Sequence, residues 1–445
     1  MYASTSFSYR FRHKRLKEFF YSDIVNAPTV GIDRVTAEAF EANMVENLKT
    51  ISKKVLNGKY RFTNYRQKLL LKGANKPPRV ISVPTIRDKV VIKTLSRMLE
   101  DVYGKECKPD QPQAVVQLII SRLSENTFDS YIKIDIHHFY QSIDQDRLLC
   151  FLGKKIKKKE ILSLIGRAIK TPTVPIGSSQ KKRRESGIPE GLSISNQLAN
   201  LYLSQLDTKM KGQQDFAYFR YVDDILILCK SENVERIKDE TLAAINELGL
   251  MVNNDKTTNA FISSDPIEYL GYVFAQSQIT ARQSSKQRFI NSLERLVKKV
   301  VKHPEDKSLC YRLNLRITGC NVSNGKGQFH RYGWLQYFSR INDLAYLGQV
   351  DWLVRKFFSR NESAPPADLK SLRKTYYELN YNWRTSSYIP AFRTSPSPSE
   401  CRAFLENALG KAVSDDTSDA ELIHMYRKQI RLLTSELERD IGALS

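Results

Sequence analysis

FAYFRYVDDILILCK (216–230) reads as two apolar strands meeting at a tight turn, and that turn carries two adjacent acids, Asp223 and Asp224. Asp-Asp between apolar strands is also an ordinary turn sequence, so the reading depends on what surrounds it. Upstream, SYIKIDIHHFYQSI (130–143) alternates Ile in the manner of a β-strand and bears Asp135. Between these two segments a Gly- and Pro-containing loop leads into ISNQLANLYLSQLDTKMKG (194–212), whose apolar residues recur with the roughly 3.6-residue period of a packed helix. A strand with one acid, a glycine loop opening a helix, and a hairpin with two acids form a three-part pattern that turn chemistry alone would rarely assemble.

Phosphoryl transfer from a nucleoside triphosphate uses two divalent cations roughly 3.5–4 Å apart, bridged by carboxylates. One acid at a strand end and two at a hairpin tip build such a cluster, and the all-oxygen set suits Mg²⁺, with Mn²⁺ as a substitute. Asp135, Asp223 and Asp224 have this layout.

Composition points to a polyanionic partner. The 445 residues hold 70 Lys and Arg against 48 Asp and Glu, a net charge of +22 that favours nucleic acid. Hydrophobic residues at 41% and aromatic ones at 10% fit a globular protein with a sizeable core rather than a disordered chain. No apolar run approaches the roughly 18 residues of a spanning helix, and MYASTSFSYRFRHKRLKEFF lacks a signal-peptide core, which implies no membrane partner and a cytoplasmic setting. Six scattered cysteines, without a CxxC pair or a His at ligand spacing, argue for reduced thiols and against a zinc module.

Outward from the acids, residues 9–60 read as helical, with apolar spacing in AEAFEANMVENLKTISKKVL and the turn signals Pro28 and Gly31 before it, and 65–91 as a basic β-hairpin turning at ANKPP before a helix near Thr85. Beyond the acids come a helix over SENVERIKDETLAAINELGL, a short β region around MVNNDKTTNAFI and one strand at IEYLGYVFA. From Lys286 helices dominate, with a terminal helix striped by Leu422, Tyr426, Ile430, Leu433 and Leu437.

Seven segments resemble, in order, the bacterial reverse transcriptases related to group II intron and retron enzymes: GIDRVTAEAF (31–40), KPPRVISVPTIRDKVV (76–91), the Asp135 strand, GIPEGLSISNQLANLYL (187–203), FRYVDDILIL, LGLMVNNDKT (248–257) and YLGYVF (269–274). The resemblance covers about residues 25–345. It implies an α+β right-hand polymerase: N-terminal arm and fingers (1–130), palm (131–285), helical thumb (286–360) and a helical C-terminal extension (361–445). It implies RNA-directed DNA synthesis from dNTPs on an RNA template, giving a DNA product.

Site roles follow from the same resemblance. Asp135, Asp223 and Asp224, with the backbone carbonyl of Ile136, would hold two metal ions. Tyr140 matches an aromatic gate that collides with a ribose 2′-hydroxyl, the next acid being Asp144. Arg79, Arg87 and Lys89 fall where the fingers meet the triphosphate, Arg being suited to bidentate phosphate contact. Lys256 matches a position that protonates pyrophosphate, and Gly191 lets backbone approach the templating pair. The sequence departs from the family pattern at Glu190, which replaces Gln, at Asn196, which replaces Pro, and at KPDQPQAVV (108–116), which stands where intron enzymes carry Gly-Phe-Arg-Pro-Gly-Arg-Ser.

KKIKKKE (154–160) and KKRRE (181–185) are candidate phosphate tracks or solvated faces, and RITG (316–319) is similar to a retron RNA-contact element or is simply a turn. Trp334, Tyr337, Trp352 and Phe357 suit base stacking, with helix core the favoured reading. No zinc nuclease, RNase H acid set or maturase-like tail is evident, which favours a stand-alone phage-defence enzyme copying a dedicated noncoding RNA. The alternatives are a retron or group II intron-type mobile-element enzyme, a polymerase using NTPs, and a noncatalytic RNA-binding scaffold. The terminal helix packs on its own chain, oligomerises it or binds a partner protein.

Overall fold

The computed structural model describes residues 2–25, 29–71, 77–178, 182–323, 329–382 and 385–441. Pro28, Lys181 and most of the ANKPP turn lie outside them. In chain order the helices are α1 (Ala3–Arg10), α2 (His13–Asp23), α3 (Ala37–Ala42), α4 (Met44–Leu56), α5 (Ile86–Tyr103), α6 (Pro112–Ser124), α7 (Phe139–Ser142), α8 (Gln145–Gly153), α9 (Lys159–Lys170), α10 (Ser195–Met210), α11 (Val234–Glu247), α12 (Gln283–Lys302), α13 (Lys307–Thr318), α14 (Trp334–Tyr337), α15 (Leu344–Arg360), α16 (Leu372–Tyr381), α17 (Pro398–Ala403) and α18 (Asp419–Arg439). The strands are β1 (Tyr65–Leu70), β2 (Arg79–Val83), β3 (Ser130–Asp135), β4 (Thr173–Val174), β5 (Phe216–Tyr221), β6 (Asp224–Cys229), β7 (Thr258–Phe261), β8 (Ile267–Tyr269), β9 (Tyr272–Ala275), β10 (Gln278–Ala281), β11 (Cys320–Ser323), β12 (Phe329–Tyr332) and β13 (Ala391–Arg393).

The chain divides into two compact units, Met1–Gln111 with Glu125–Asn259, and Pro112–Ser124 with Ala260–Ser445. In the first, β6 lies between β5 and β3, antiparallel to both. DILILC of β6 is buried at every position, as expected of a strand covered on both faces. Helix α10 supplies Leu198, Leu201, Tyr202 and Leu206 to the same core. A second sheet pairs β1 antiparallel with β2 and parallel with β4. Helix α5 starts where the sequence signals it: Thr85 accepts from the Asp88 backbone N–H at 3.2 Å, and buried Asp88 accepts the Tyr60 hydroxyl at 2.7 Å and the Thr63 N–H at 3.0 Å.

One reading in this unit needs correction. The strand expected over 130–143 ends at Asp135, because the chain turns through a left-handed residue, His138 (φ +46°), into the short α7. The segment KPDQPQAVV runs into a helix, α6, which begins at Pro112, a residue suited to the first helical turn, and belongs to the second unit.

The second unit is less helical than its sequence suggests. IEYLGYVFA is not one strand but a hairpin, β8 and β9, turning at Leu270 (φ +51°) and Gly271 (φ +77°), the positive-φ pair of a type I′ turn, with β10 beside β9. A further sheet ordered β12-β11-β13 lies in the stretch read as helical. RITG closes α13, Gly319 at φ +65° being its cap. The α18 stripe Leu422, Tyr426, Ile430, Leu433 and Leu437 is buried against Leu315, Phe392, Leu405 and neighbours of the same unit.

Candidate active site

Strand register brings the acids together. Asp135, the last residue of β3, lies opposite Asp224, the first of β6, and Tyr221 pairs with Asp224 to close a two-residue turn of Val222 and Asp223. Val222 has φ +56°, and it alone of the turn pair is positive, a pattern in which the first turn residue is normally Gly. A β-branched residue there stores strain, which the surroundings must hold in place.

Arg220 does so, and sequence reasoning missed it. Its Nη1 donates to the Val222 carbonyl at 2.9 Å and to Asn200 Oδ1 at 3.1 Å, while Nε donates to Asp207 at 2.7 Å, and the ion pair to Asp207 is largely shielded from solvent. Asn200 and Asp207 both project from α10, so this helix braces the turn. The Arg two residues before Val222 in FRYVDD was the available signal.

Residues 251–254 cover the other side of β3. The Asn253 N–H donates to the Asp135 carbonyl and the His137 N–H to the Met251 carbonyl, each at 2.8 Å. Ile136, bridged to Val252 between these bonds, therefore turns its own carbonyl toward the β6 side. Lys256 Nζ lies 3.1 Å from Asp135 Oδ2, and Asn253 Nδ2 donates to the same oxygen at 3.4 Å.

Burial pushes the Asp223 carboxyl above the ordinary carboxylate range, with Asp135 adding repulsion. Burial likewise pushes Asp224 up to about 7 despite Lys133, with Asp223 and Asp135 contributing. Burial disfavours the charged forms of Asp223 and Asp224, and an oxygen-only set of neighbouring carboxylates fits a hard divalent cation, which would relieve the repulsion. Among the described residues no three His, Cys, Asp or Glu side chains already converge tightly enough to grip an ion, and the Asp135 carboxylate leans on Lys256.

Tyr140 is buried, its hydroxyl donating to Asn196 Oδ1 at 2.8 Å, and burial beside Asp223 raises its pKa. The Arg79 guanidinium stands 6.0 Å from the Tyr140 ring centroid and is ion-paired through Nε with Glu190. Glu190 and Gly191 are pinned to β2: the Glu190 carbonyl accepts the Ser82 N–H at 2.7 Å. Gly191 sits at φ +93°, where a Cβ would come within 2.5 Å of Ile81.

The other two basic residues of this segment do not join the cluster. Arg87 donates to Thr63 Oγ1 at 2.8 Å and lies over Tyr60, and Lys89 Nζ donates to the Thr29 carbonyl at 3.1 Å beside a cleft of about 250 Å³ that Lys68 and Gly191 also line. Asp144 caps α8, accepting from the Arg147 N–H at 2.8 Å. Trp334, Tyr337 and Phe357 are core residues, whereas Trp352 is 55% exposed with Lys356 over its ring.

Residues 70–274 match the family described as "Reverse transcriptase (RNA-dependent DNA polymerase)". The chain is similar to the group II intron-encoded protein LtrA of Lactococcus lactis, 23% identical over 90% of this chain and 86% of the relative. It is 22% identical to an uncharacterized 91 kDa protein in the cob intron of Schizosaccharomyces pombe, over 57% of this chain and 32% of that one. Among solved structures it matches telomerase of Candida albicans in complex with a fragment of telomeric RNA, at 14% identity and a TM-score of 0.43 over 90% of this chain and 67% of that one. Against a truncated Candida tropicalis telomerase the values are 16% and 0.39, over 49% of this chain and 55% of that one.

Proposed function

We propose, for a chain that is a reverse transcriptase of the group II intron type, that Asp135, Asp223 and Asp224 hold two Mg²⁺ ions and that a dedicated noncoding RNA is its template, in antiphage defence. The chain is an RNA-directed DNA polymerase, a nucleotidyltransferase with the right-hand polymerase fold class. The observation that supports the metal site is the cross-strand pairing of Asp135 with Asp224 beside the strained Val222 turn. Bound divalent ions supply positive charge to the attacking 3′-hydroxyl and to the leaving pyrophosphate. The protein's own groups do the rest. Tyr140 walls off a ribose 2′-hydroxyl, Arg79 meets the triphosphate, Gly191 admits the templating pair, and Lys256 leaves Asp135 to deliver a proton to pyrophosphate. The Ile136 carbonyl adds a further oxygen ligand. In this reading residues 1–130 are arm and fingers, 131–285 palm, 286–360 thumb and 361–445 an extension, and the enzyme acts in the cytoplasm. No helix among the described residues is long and apolar enough to cross a membrane.

A second reading, a mobile-element enzyme copying its own intron RNA, is favoured by the alignment with LtrA over 90% of this chain. Purifying the protein with its retained RNA, supplying dNTPs, and sequencing both RNA and product separates the two. Product complementary to one small noncoding RNA supports the defence reading, and product complementary to a self-splicing intron overturns it.

A further inference from the structure

Glu190 and Asn196, two departures from the family pattern, lie in one loop-to-helix segment, and each engages a side chain of the nucleotide pocket. The Glu190 carboxylate accepts from Arg79, and Asn196 Oδ1 accepts from the Tyr140 hydroxyl at 2.8 Å. Their recipients also face each other, Arg79 lying 6.0 Å from the Tyr140 ring centroid. The family's own residues offer less: Gln can accept a hydrogen bond from Arg79 but carries no charge to pair with it, and Pro has no side-chain oxygen for Tyr140.

The arrangement is held from behind. The Glu190 carbonyl is bonded to Ser82 of β2, the Pro189 carbonyl accepts the Ser195 hydroxyl, and Gly191 packs against Ile81 with no room for a side chain. With side-chain exposure of 14% for Glu190 and 37% for Arg79, the ion pair is only partly screened by solvent.

We propose that Glu190 occupies Arg79 as an internal stand-in for triphosphate charge, so that nucleotide entry is an exchange of anions at Arg79, while Asn196 positions the Tyr140 ring against the sugar. Both are positioning residues, and the proposal rests on the polymerase reading above. A triphosphate outcompetes a single carboxylate by charge, whereas weakly charged ligands gain nothing from Arg79 while Glu190 holds it. Glu190 thus raises the nucleotide concentration the enzyme needs without touching the reacting atoms.

The test is equilibrium titration of the full chain, with Mg²⁺ and no primer, using inorganic tripolyphosphate, dUTP and UTP, alongside single-nucleotide incorporation on a primed RNA. The isosteric variant Glu190→Gln is expected to bind tripolyphosphate and dUTP roughly three- to tenfold more tightly and to lower the dNTP KM in the same direction. Asn196→Ala is expected to leave tripolyphosphate affinity unchanged and to reduce the preference for dUTP over UTP about tenfold, and Asn196→Asp, which keeps an acceptor, to restore it. Unchanged or weaker tripolyphosphate binding by Glu190→Gln overturns the exchange, and an unchanged dUTP preference in Asn196→Ala overturns the positioning role. Tighter binding without any incorporation upholds the exchange while ending the polymerase reading; incorporation with unaltered affinities does the reverse.

Discussion

Asp135 is far in sequence from Asp223 and Asp224, yet paired strands and their turn bring it to them, whereas Arg79, Arg87 and Lys89, close together in sequence, go to three different sets of partners. Strand register explains the first case. Antiparallel pairing places Asp135 opposite Asp224 and leaves little freedom about where the carboxylates stand. Helix geometry explains the second. Arg79 is on β2, but Arg87 and Lys89 are two residues apart on α5, about 200° apart around the helix, and cannot face one ligand. A cluster of charges in sequence is therefore a cluster in space only when the local periodicity allows it.

That contrast can be broken at its strong end. Asp135→Ala should lower dNTP incorporation at least about a thousandfold with the fold retained, since it removes a carboxylate of the proposed metal site and leaves β3 intact. A loss under tenfold in primer extension would mean the strand pairing does not define the site.

The brace beneath the hairpin is next in size. Arg220→Ala should reduce kcat roughly tenfold to a hundredfold and cost about 3–5 kcal/mol in urea unfolding, because it strands the Asp207 carboxylate in the interior and frees the strained Val222 turn. Lost stability with unchanged kcat would make Arg220 a purely structural residue.

The basic segment gives smaller effects. Arg79→Ala should raise the dNTP KM about tenfold, while Arg87→Ala and Lys89→Ala change it no more than about twofold, since each of the latter is held by Thr63 or Thr29. Equal KM effects in steady-state assays would erase the distinction between Arg79 and the two helix residues.

A last effect falls on folding rather than on activity, as a pH dependence of stability without metal. Asp224 is raised from 3.8 to about 7 in the folded state. As pH rises between those values the unfolded chain gives up a proton that the folded chain keeps, so stability in EDTA should fall across that window and level off above it, by a few kcal/mol at most. Asp224→Asn should flatten this part of the urea-midpoint profile.

Much of the carboxylate-bearing unit was legible because its cues are local. The alternation before Asp135, the apolar run of β6 and the Thr85 cap each dictate their element within a few residues. What was not legible depended on distance in sequence. The brace joins Arg220 to Asp207 and Asn200 across a strand and a helix, and the links from Tyr140 to Asn196 and from Arg79 to Glu190 span 56 and 111 residues. The β11–β13 sheet was missed because its strands are three or four residues long and β13 returns from far along the chain to pair in parallel with β11. The split of IEYLGYVFA was hidden by Leu270, a residue seldom found at positive φ.

The central claim is that these carboxylates catalyse DNA synthesis on RNA. Its most direct test is extension of a primer on an RNA template, with dNTPs or NTPs and Mg²⁺, by the wild type and by the Asp223→Ala, Asp224→Ala variant. The account predicts dNTP incorporation by the wild type alone and little use of NTPs. Equal incorporation by both proteins, or none by either on any primed RNA, would contradict it.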